Sequence, residues 1–201
     1  MHTLRNTPGT QAILSRATVG IAGIGGLGSN VAVHLARCGV GRLILADFDL
    51  VEISNLNRQH YDRRHIGMKK TDAIKEVLRH INPDLQLVTH DVYLDPTNIK
   101  TIFEGVDVMV EAFDLAENKS MLMDEWLENL GKMPLVTASG MAGLGPANDI
   151  RTRKLGEQLY VIGDLCTEST IENGLMAPRV ILAAAHQSHA VLRILLDNRE
   201  V

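Results

Sequence analysis

Short runs of aliphatic and β-branched residues alternate along this chain with longer stretches whose apolar positions recur at helical spacing. Residues 18–23 form the first run and read as a strand, followed by a helix over 27–38. A second strand is expected over 42–46, ending at Asp47. Residues 49–64 are polar and irregular and read as a loop with room for a single turn. Ala73, Ile74, Val77, Leu78 and Ile81 share one helical face, which predicts a helix over 69–81. Asn82-Pro83-Asp84 stops it, because proline disfavours helix at the residue before it. Further strands are expected over 85–90, 106–110 and 135–138, and helices over 98–103 and 116–130.

The rhythm changes after residue 138. Residues 140–145 are glycine-rich, and 149–153 and 158–162 suit two antiparallel edge strands around a turn at Leu155-Gly156. Residues 163–174 read as a loop able to move. A long helix over 177–196 enters through Pro178 and is apolar around much of its circumference, with Val180, Ile181, Leu182, Val191, Leu192, Ile194 and Leu195. Such a helix is expected to be buried, in the core or in a subunit interface. The strand–helix alternation predicts an α/β fold: a Rossmann-like, mostly parallel sheet with helices on both faces, extended by a short antiparallel edge. At 201 residues the chain suits one domain, 1–201, with a core that needs no disulfide or metal staple.

Composition narrows the partners. Aromatic residues make up 3%, so stacking on single-stranded bases is not expected, and a net charge of −4 offers no basic surface for nucleic acid or a membrane. The two cysteines, Cys38 and Cys166, are too few for a disulfide scaffold or a four-cysteine zinc site, and a reducing cytoplasm fits them best. Residues 1–5 lack the apolar run of a signal peptide, and no segment has the ~20 consecutive apolar residues of a membrane span.

The chemistry begins at Gly23-Ile24-Gly25-Gly26-Leu27-Gly28, a G-x-G-x-x-G between a strand and a helix. The glycines let the backbone approach phosphate oxygens, and the helix start offers free N–H groups and partial positive charge. Asp47, at the end of the next strand, stands where an acid reads a ribose hydroxyl. These features alone fit NAD as well as ATP. The segment Asp47-Phe48-Asp49-Leu50-Val51-Glu52-Ile53-Ser54-Asn55-Leu56-Asn57-Arg58-Gln59 separates the two. A dehydrogenase has no need of this dense polar cluster, whereas a triphosphate does: Arg58 can donate paired hydrogen bonds to phosphate, and Asn55 and Gln59 can fix its oxygens. Gly67-Met68-Lys69-Lys70 adds a lysine at a helix start. Taken singly, Arg58 or Lys70 reads as a solvated surface charge.

The block D-x-D-x-V-x-x-S-N-L-x-R-Q with G-x-x-K downstream resembles the nucleotide site of the ThiF/MoeB/HesA family, the ubiquitin-activating-enzyme-like adenylyltransferases. The resemblance runs from about residue 15 to 196 and is strongest to short ThiF proteins of thiamine biosynthesis. It implies that Gly26 packs against ATP, with Gly23, Gly25 and Gly28 shaping the loop, and that Asp47 holds the ribose. It implies a phosphate channel lined by Ser54, Asn55, Leu56, Asn57 and Arg58, with Gln59 beside them and Lys70 reaching in. In the stretch after the fourth strand it makes Asp114 the Mg2+ ligand, with Leu115 beside it at the nucleotide and Glu111 a weaker metal candidate. The implied reaction adenylates the C-terminal glycine carboxylate of a ThiS-like ubiquitin-fold carrier ending in Gly-Gly. The implied assembly is a homodimer in which an N-terminal arginine, Arg5 or Arg16, acts across the interface.

Two departures follow. The C-x-x-C pairs that bind zinc in some members are missing, so no zinc is expected. Cys166 lies in the loop where some relatives carry a covalent cysteine, before Leu175-Met176-Ala177-Pro178, but nothing basic adjoins it. Cys38 reads as core, and His186 and His189 as helix or interface histidines. Competing readings are an NAD-dependent oxidoreductase on the same glycine loop and a non-catalytic carrier-binding relative.

Overall fold

The computed structural model describes Thr3 and residues 5–198; Met1, His2, Leu4 and residues 199–201 lie outside the described residues, and with them part of the segment from 1 to 5. Strands β1 (Thr18–Ala22), β2 (Arg42–Asp47), β3 (Gln86–Asp91), β4 (Val108–Glu111), β5 (Leu135–Ala138), β6 (Arg151–Leu155) and β7 (Leu159–Gly163) form one sheet in the order β3-β2-β1-β4-β5-β7-β6. All pairings are parallel except β6 with β7. The antiparallel edge is therefore β6 alone. β7 is an inner strand, with Leu159 to Ile162 in register with Leu135 to Ala138. Its buried Tyr160 and Ile162 face the core, a placement that the alternation of residues 158–162 alone does not distinguish from an edge.

Among the described residues six α-helices accompany the sheet: α1 (Gln11–Leu14), α2 (Gly26–Cys38), α3 (Lys70–Ile81), α4 (Ile99–Ile102), α5 (Ala116–Glu125) and α6 (Ala177–Leu195). The inner strands β1, β2, β4 and β5 are mostly apolar on both faces because both are covered, whereas the edge strands β3 and β6 carry polar residues. Leu43, Leu45, Val108, Val110 and Val136 pack with α2, α3 and α6 on one side. Ile44, Ala46, Met109 and Leu135 pack with Ile99, Phe103, Leu122 and Trp126 of the α4–α5 layer on the other. The Rossmann-like expectation, with helices on both faces, is met.

Local differences have local causes. The loop after β2 holds two short 3-10 turns, Ile53–Asn55 and Arg63–His65, in place of the single expected turn. Each is closed by a side chain: the Asn55 carboxamide accepts from Glu52 N at 3.0 Å, and Asp62 accepts from Arg64 N at 2.9 Å. The last turn of the expected 116–130 helix is a π-turn, Trp126–Leu130. α6 is not buried all round. One face, with Val180, Ala183, Ala184, Gln187, Val191 and Ile194, covers the sheet, while Ile181 is exposed, as is Met176 just before the helix. Much of its apolar count comes from alanines, which a helix tolerates on either face. Cys38 is half-buried at the end of α2 rather than fully in the core, and burial pushes its thiol pKa up.

The strand order reverses between β1 and β4, which opens a crevice at their carboxyl ends. The turn between β6 and β7, residues 156–158, lies at the opposite, amino-terminal edge of the parallel strands, as does the segment before β1. Among the described residues no helix is long and apolar enough to cross a membrane.

Candidate functional site

The crevice is built on the turn from β1 into α2. Gly23 has φ +90°, and a side chain there would meet the Ala112 carbonyl oxygen at 2.9 Å. At Gly28 a Cβ would stand 1.9 Å from the Gly23 carbonyl oxygen, so α2 can approach its own loop this closely only with glycine. The Ile24 peptide is held from both sides. Its N–H donates to Asp47 Oδ2 at 2.6 Å, and its carbonyl accepts from the buried Tyr61 hydroxyl at 2.9 Å. The Ser29 hydroxyl donates to Gly25 O at 2.7 Å, and Asn30 Nδ2 donates to Gly26 O at 2.7 Å and Arg58 O at 2.9 Å. Among the described residues, its chain neighbours aside, a Cβ built at Gly25 would meet only Gln59 Nε2, at 3.8 Å, so this part of the loop stays open to a ligand.

Asp47 also accepts from Asp49 N at 2.9 Å, and Lys70 Nζ lies 4.0 Å from its Oδ1. Burial is the main influence on its carboxyl and raises the pKa, against the lysine and the two N–H donors. Lys70 is buried and donates to Asp49 Oδ2 at 2.6 Å. Arg58 lies over Gly26, with its Nε 3.4 Å from where a Cβ would stand there. Its Nη1 donates to Asn57 Oδ1 at 2.7 Å and Ser54 O at 3.1 Å. Asn57 Nδ2 in turn donates to Leu175 O at 3.1 Å, tying this segment to the chain just before α6. Ser54 donates to Glu52, and Leu56 packs against the core. Gln59 is buried with its Oε1 unpartnered, the kind of atom a bound polar group satisfies.

Asp114 is exposed in the short turn between β4 and α5, and Leu115 caps α5 beside it. Phe113 of the same turn lies 3.4 Å from where a Gly23 side chain would stand, so the turn abuts the glycine loop. Among the described residues nothing hydrogen-bonds the Asp114 carboxylate. A free carboxylate at the carboxyl end of a parallel strand fits a hard divalent cation that also takes phosphate oxygens and water. Glu111 does not fit that role: its carboxylate is enclosed and engaged by Lys119, Thr137 and the Phe113 N–H. Phe48 and Tyr93 form an exposed edge-to-face pair, with centroids 5.0 Å apart, just beyond β2 and β3.

Cys166 is exposed on the loop after β7, and its Sγ donates to Asp164 Oδ1 at 3.5 Å. That carboxylate raises the thiol pKa. Burial pushes the Asp164 carboxyl up, but hydrogen bonds from Cys166 N, Thr167 and Arg179 overcome it and hold it well below the usual carboxylate range. Arg179 also donates to Gly145 O at 2.5 Å, so the loop is anchored to the start of α6. A raised thiol pKa leaves less thiolate at neutral pH. Alkylation of Cys166 by iodoacetamide at pH 7 should run more slowly than for a free cysteine. A faster rate, read by mass spectrometry of the modified peptide, would contradict this.

Arg5 and Arg16 are exposed at the amino-terminal edge of the sheet, away from the glycine loop of the same chain. His186 Nδ1 lies 3.0 Å from Thr152 Oγ1, and among the described residues no group of three or more potential ligands could hold a metal. The structure thus gathers the glycine loop, Asp47, Arg58, Gln59, Lys70 and the Asp114 turn at one crevice, with Cys166 on a separate loop. Sequence reasoning misses Tyr61, Asn30 and Asp49 as supports. Asn30 carries a faint signal, standing four residues after the Gly26 carbonyl it bonds, whereas Tyr61 gives none before the fold closes.

A model of the ThiF family matches residues 4–201. The chain is 49% identical over 74 residues to ubiquitin-like modifier-activating enzyme 5 of Caenorhabditis elegans, covering 37% of this chain and 18% of that protein. It is 30% identical over 192 residues to the adenylyltransferase and sulfurtransferase UBA4 of Candida glabrata, covering 92% of this chain and 44% of that protein. It therefore spans less than half the length of these relatives. The E. coli tRNA N6-threonylcarbamoyladenosine dehydratase TcdA, solved in complex with ATP, has the same fold: TM-score 0.84 and 22% identity, over 94% of this chain and 90% of that one.

Proposed function

The chain belongs to the ThiF family, and on that premise we propose that it uses ATP to adenylate the C-terminal carboxylate of a small ubiquitin-fold carrier protein. The observation that carries this reading is the convergence of Arg58 and Lys70 on a glycine loop that opens at Gly25, with the unengaged Asp114 beside it. In the proposed reaction a carboxylate oxygen attacks the α-phosphorus. A P–O bond forms, the bond to the β-phosphate bridging oxygen breaks, and pyrophosphate leaves with that electron pair. A carboxylate is already a nucleophile, so no general base is needed. The work is positioning and charge stabilisation.

The residues divide this work. The α2 N-terminus and the Gly25 peptide receive phosphate, and Asp47 and the Phe48–Tyr93 pair bound the nucleoside side. Arg58 meets charge developing on the departing pyrophosphate, and Lys70, held by Asp49, sets the potential behind it. Ser54, Asn55, Leu56 and Asn57 shape the channel wall, and Gln59 offers its unpartnered carbonyl oxygen. Asp114, with Leu115 beside it, would hold Mg2+, which neutralises phosphate charge when bound. We extend the proposal to a ThiS-like carrier ending in Gly-Gly, to a homodimer, and to residues 1–201 acting as one domain. The exposed Phe48, Ile53 and Leu115 beside the crevice suit a protein partner. Leu144, Met176 and Leu182, around a shallow apolar cavity by α6, suit a second copy.

The test is ATP–pyrophosphate exchange with Mg2+, with and without a ubiquitin-fold carrier ending in Gly-Gly. Carrier-dependent exchange is the expected result. A protein that binds ATP yet shows no exchange with any such carrier would remove carrier adenylation from consideration.

A further inference from the structure

Glu111 ends β4, and its side chain is 1% exposed. Its Oε1 accepts from Phe113 N at 2.6 Å and from Lys119 Nζ at 2.9 Å. Its Oε2 accepts from Lys119 Nζ at 3.0 Å and from the Thr137 hydroxyl. Lys119 also donates to Ala138 O at 3.0 Å, and Gln187 Nε2 donates to the Glu111 carbonyl at 2.9 Å. One carboxylate thus joins β4, β5, α5 and the turn that carries Asp114.

An ion pair this enclosed is seldom the most stable way to hold a strand end, since apolar groups of the same shape often do as well or better. What an apolar side chain cannot supply is an acceptor for the Phe113 N–H, and that bond fixes the Ala112–Phe113 peptide at the start of the turn that carries Asp114. Nor can it supply a charge that cancels Lys119. With the pair intact, the Glu111 charge is engaged, while the Asp114 carboxylate beyond the strand end has no partner among the described residues.

We propose that Glu111 and Lys119 are a positioning pair: they fix the turn that presents Asp114 and cancel one another's charge beneath it, so that a divalent cation meets the Asp114 carboxylate over a neutral base. This rests on the reading of Asp114 as the Mg2+ ligand. The charge balance gives opposite signs for the two partners. Glu111→Gln leaves the Lys119 cation uncompensated and repels the metal. Lys119→Gln leaves the Glu111 anion uncompensated and attracts it.

The test is calorimetric binding of a non-hydrolysable ATP analogue to the full chain, with Mg2+ and with EDTA; the readout is the factor by which Mg2+ tightens binding. In Glu111→Gln that factor should fall about tenfold, and in Lys119→Gln it should rise by several-fold, by the Coulomb energies of a nearby unit charge. Thermal melting of each variant checks that it folds, and either folded variant is enough to decide. A merely structural role predicts lower melting temperatures with an unchanged factor, and that result overturns the proposal. Asp114→Asn separates the two layers: if it leaves the factor at the wild-type value, the metal reading itself has failed. If it abolishes the Mg2+ effect while the pair variants do not alter it, only the positioning role has.

Discussion

Arg58→Ala should lower carrier-dependent ATP–pyrophosphate exchange by roughly a hundredfold to a thousandfold, the range seen when one preorganised donor to a developing anion is removed. The guanidinium lies over Gly26, and its Nη1 bonds are to a backbone carbonyl and an amide oxygen in an exposed loop. Neither bond is enclosed, so a phosphate oxygen can compete for the same donor at low cost. The loss should fall mainly on the maximal rate, because the charge it meets grows as pyrophosphate departs. Stability should change by less than about 1 kcal/mol, since the side chain supports no core packing. Arg58→Lys should recover only part of the rate, for an ammonium cannot present two parallel donors. An exchange rate within threefold of wild type in Arg58→Ala would remove this residue from the chemistry.

Gly28→Ala should be the most damaging small substitution in the glycine loop. Its Cβ would stand 1.9 Å from the Gly23 carbonyl oxygen and 2.9 Å from the Gly23 carbonyl carbon, both backbone atoms. No rotamer change relieves such a contact, so α2 must shift away from β1. That shift disturbs Val31 and Leu35, which are fully buried against the sheet, and overpacking of this kind costs about 3 kcal/mol. It also pulls the Ile24 peptide from Asp47 and Tyr61. Denaturant unfolding should show the stability loss, and nucleotide binding should weaken in the fraction that remains folded. An alanine variant as stable as wild type would mean that the helix does not sit where the structure has it.

The centre of the sheet is legible in the sequence because its inner strands are apolar on both faces and glycines or polar turns bound them. Strands β1, β2, β4 and β5 fall within a residue or two of their expected limits. The neighbours of β7 are not legible. The residues of 158–162 fit an edge or an inner strand, and only the crossing of the chain from β5 to β6 and back decides. The brief α1 leaves no signal, since four residues make barely one turn. The glycine loop and the 47–59 block stand out because their residues are close in sequence and of unusual types. The supports do not. Glu111 reads as a ligand because acids at strand ends collect metals, and nothing local announces that Lys119 and Thr137 enclose it. Lys70 reads as free to reach outward, yet Asp49 holds it; that pairing spans a loop whose path is set by tertiary contacts such as Val51 N to Met68 O at 2.8 Å.

The turn from β6 to β7 has a practical side. Gly156 stands in it with open space around its Cα, at the end of the parallel strands farthest from the crevice. A fluorophore, an affinity handle or a surface tether grafted at residues 156–158 would leave the opposite edge facing solution, and an immobilised chain would still present its crevice to whatever is passed over it.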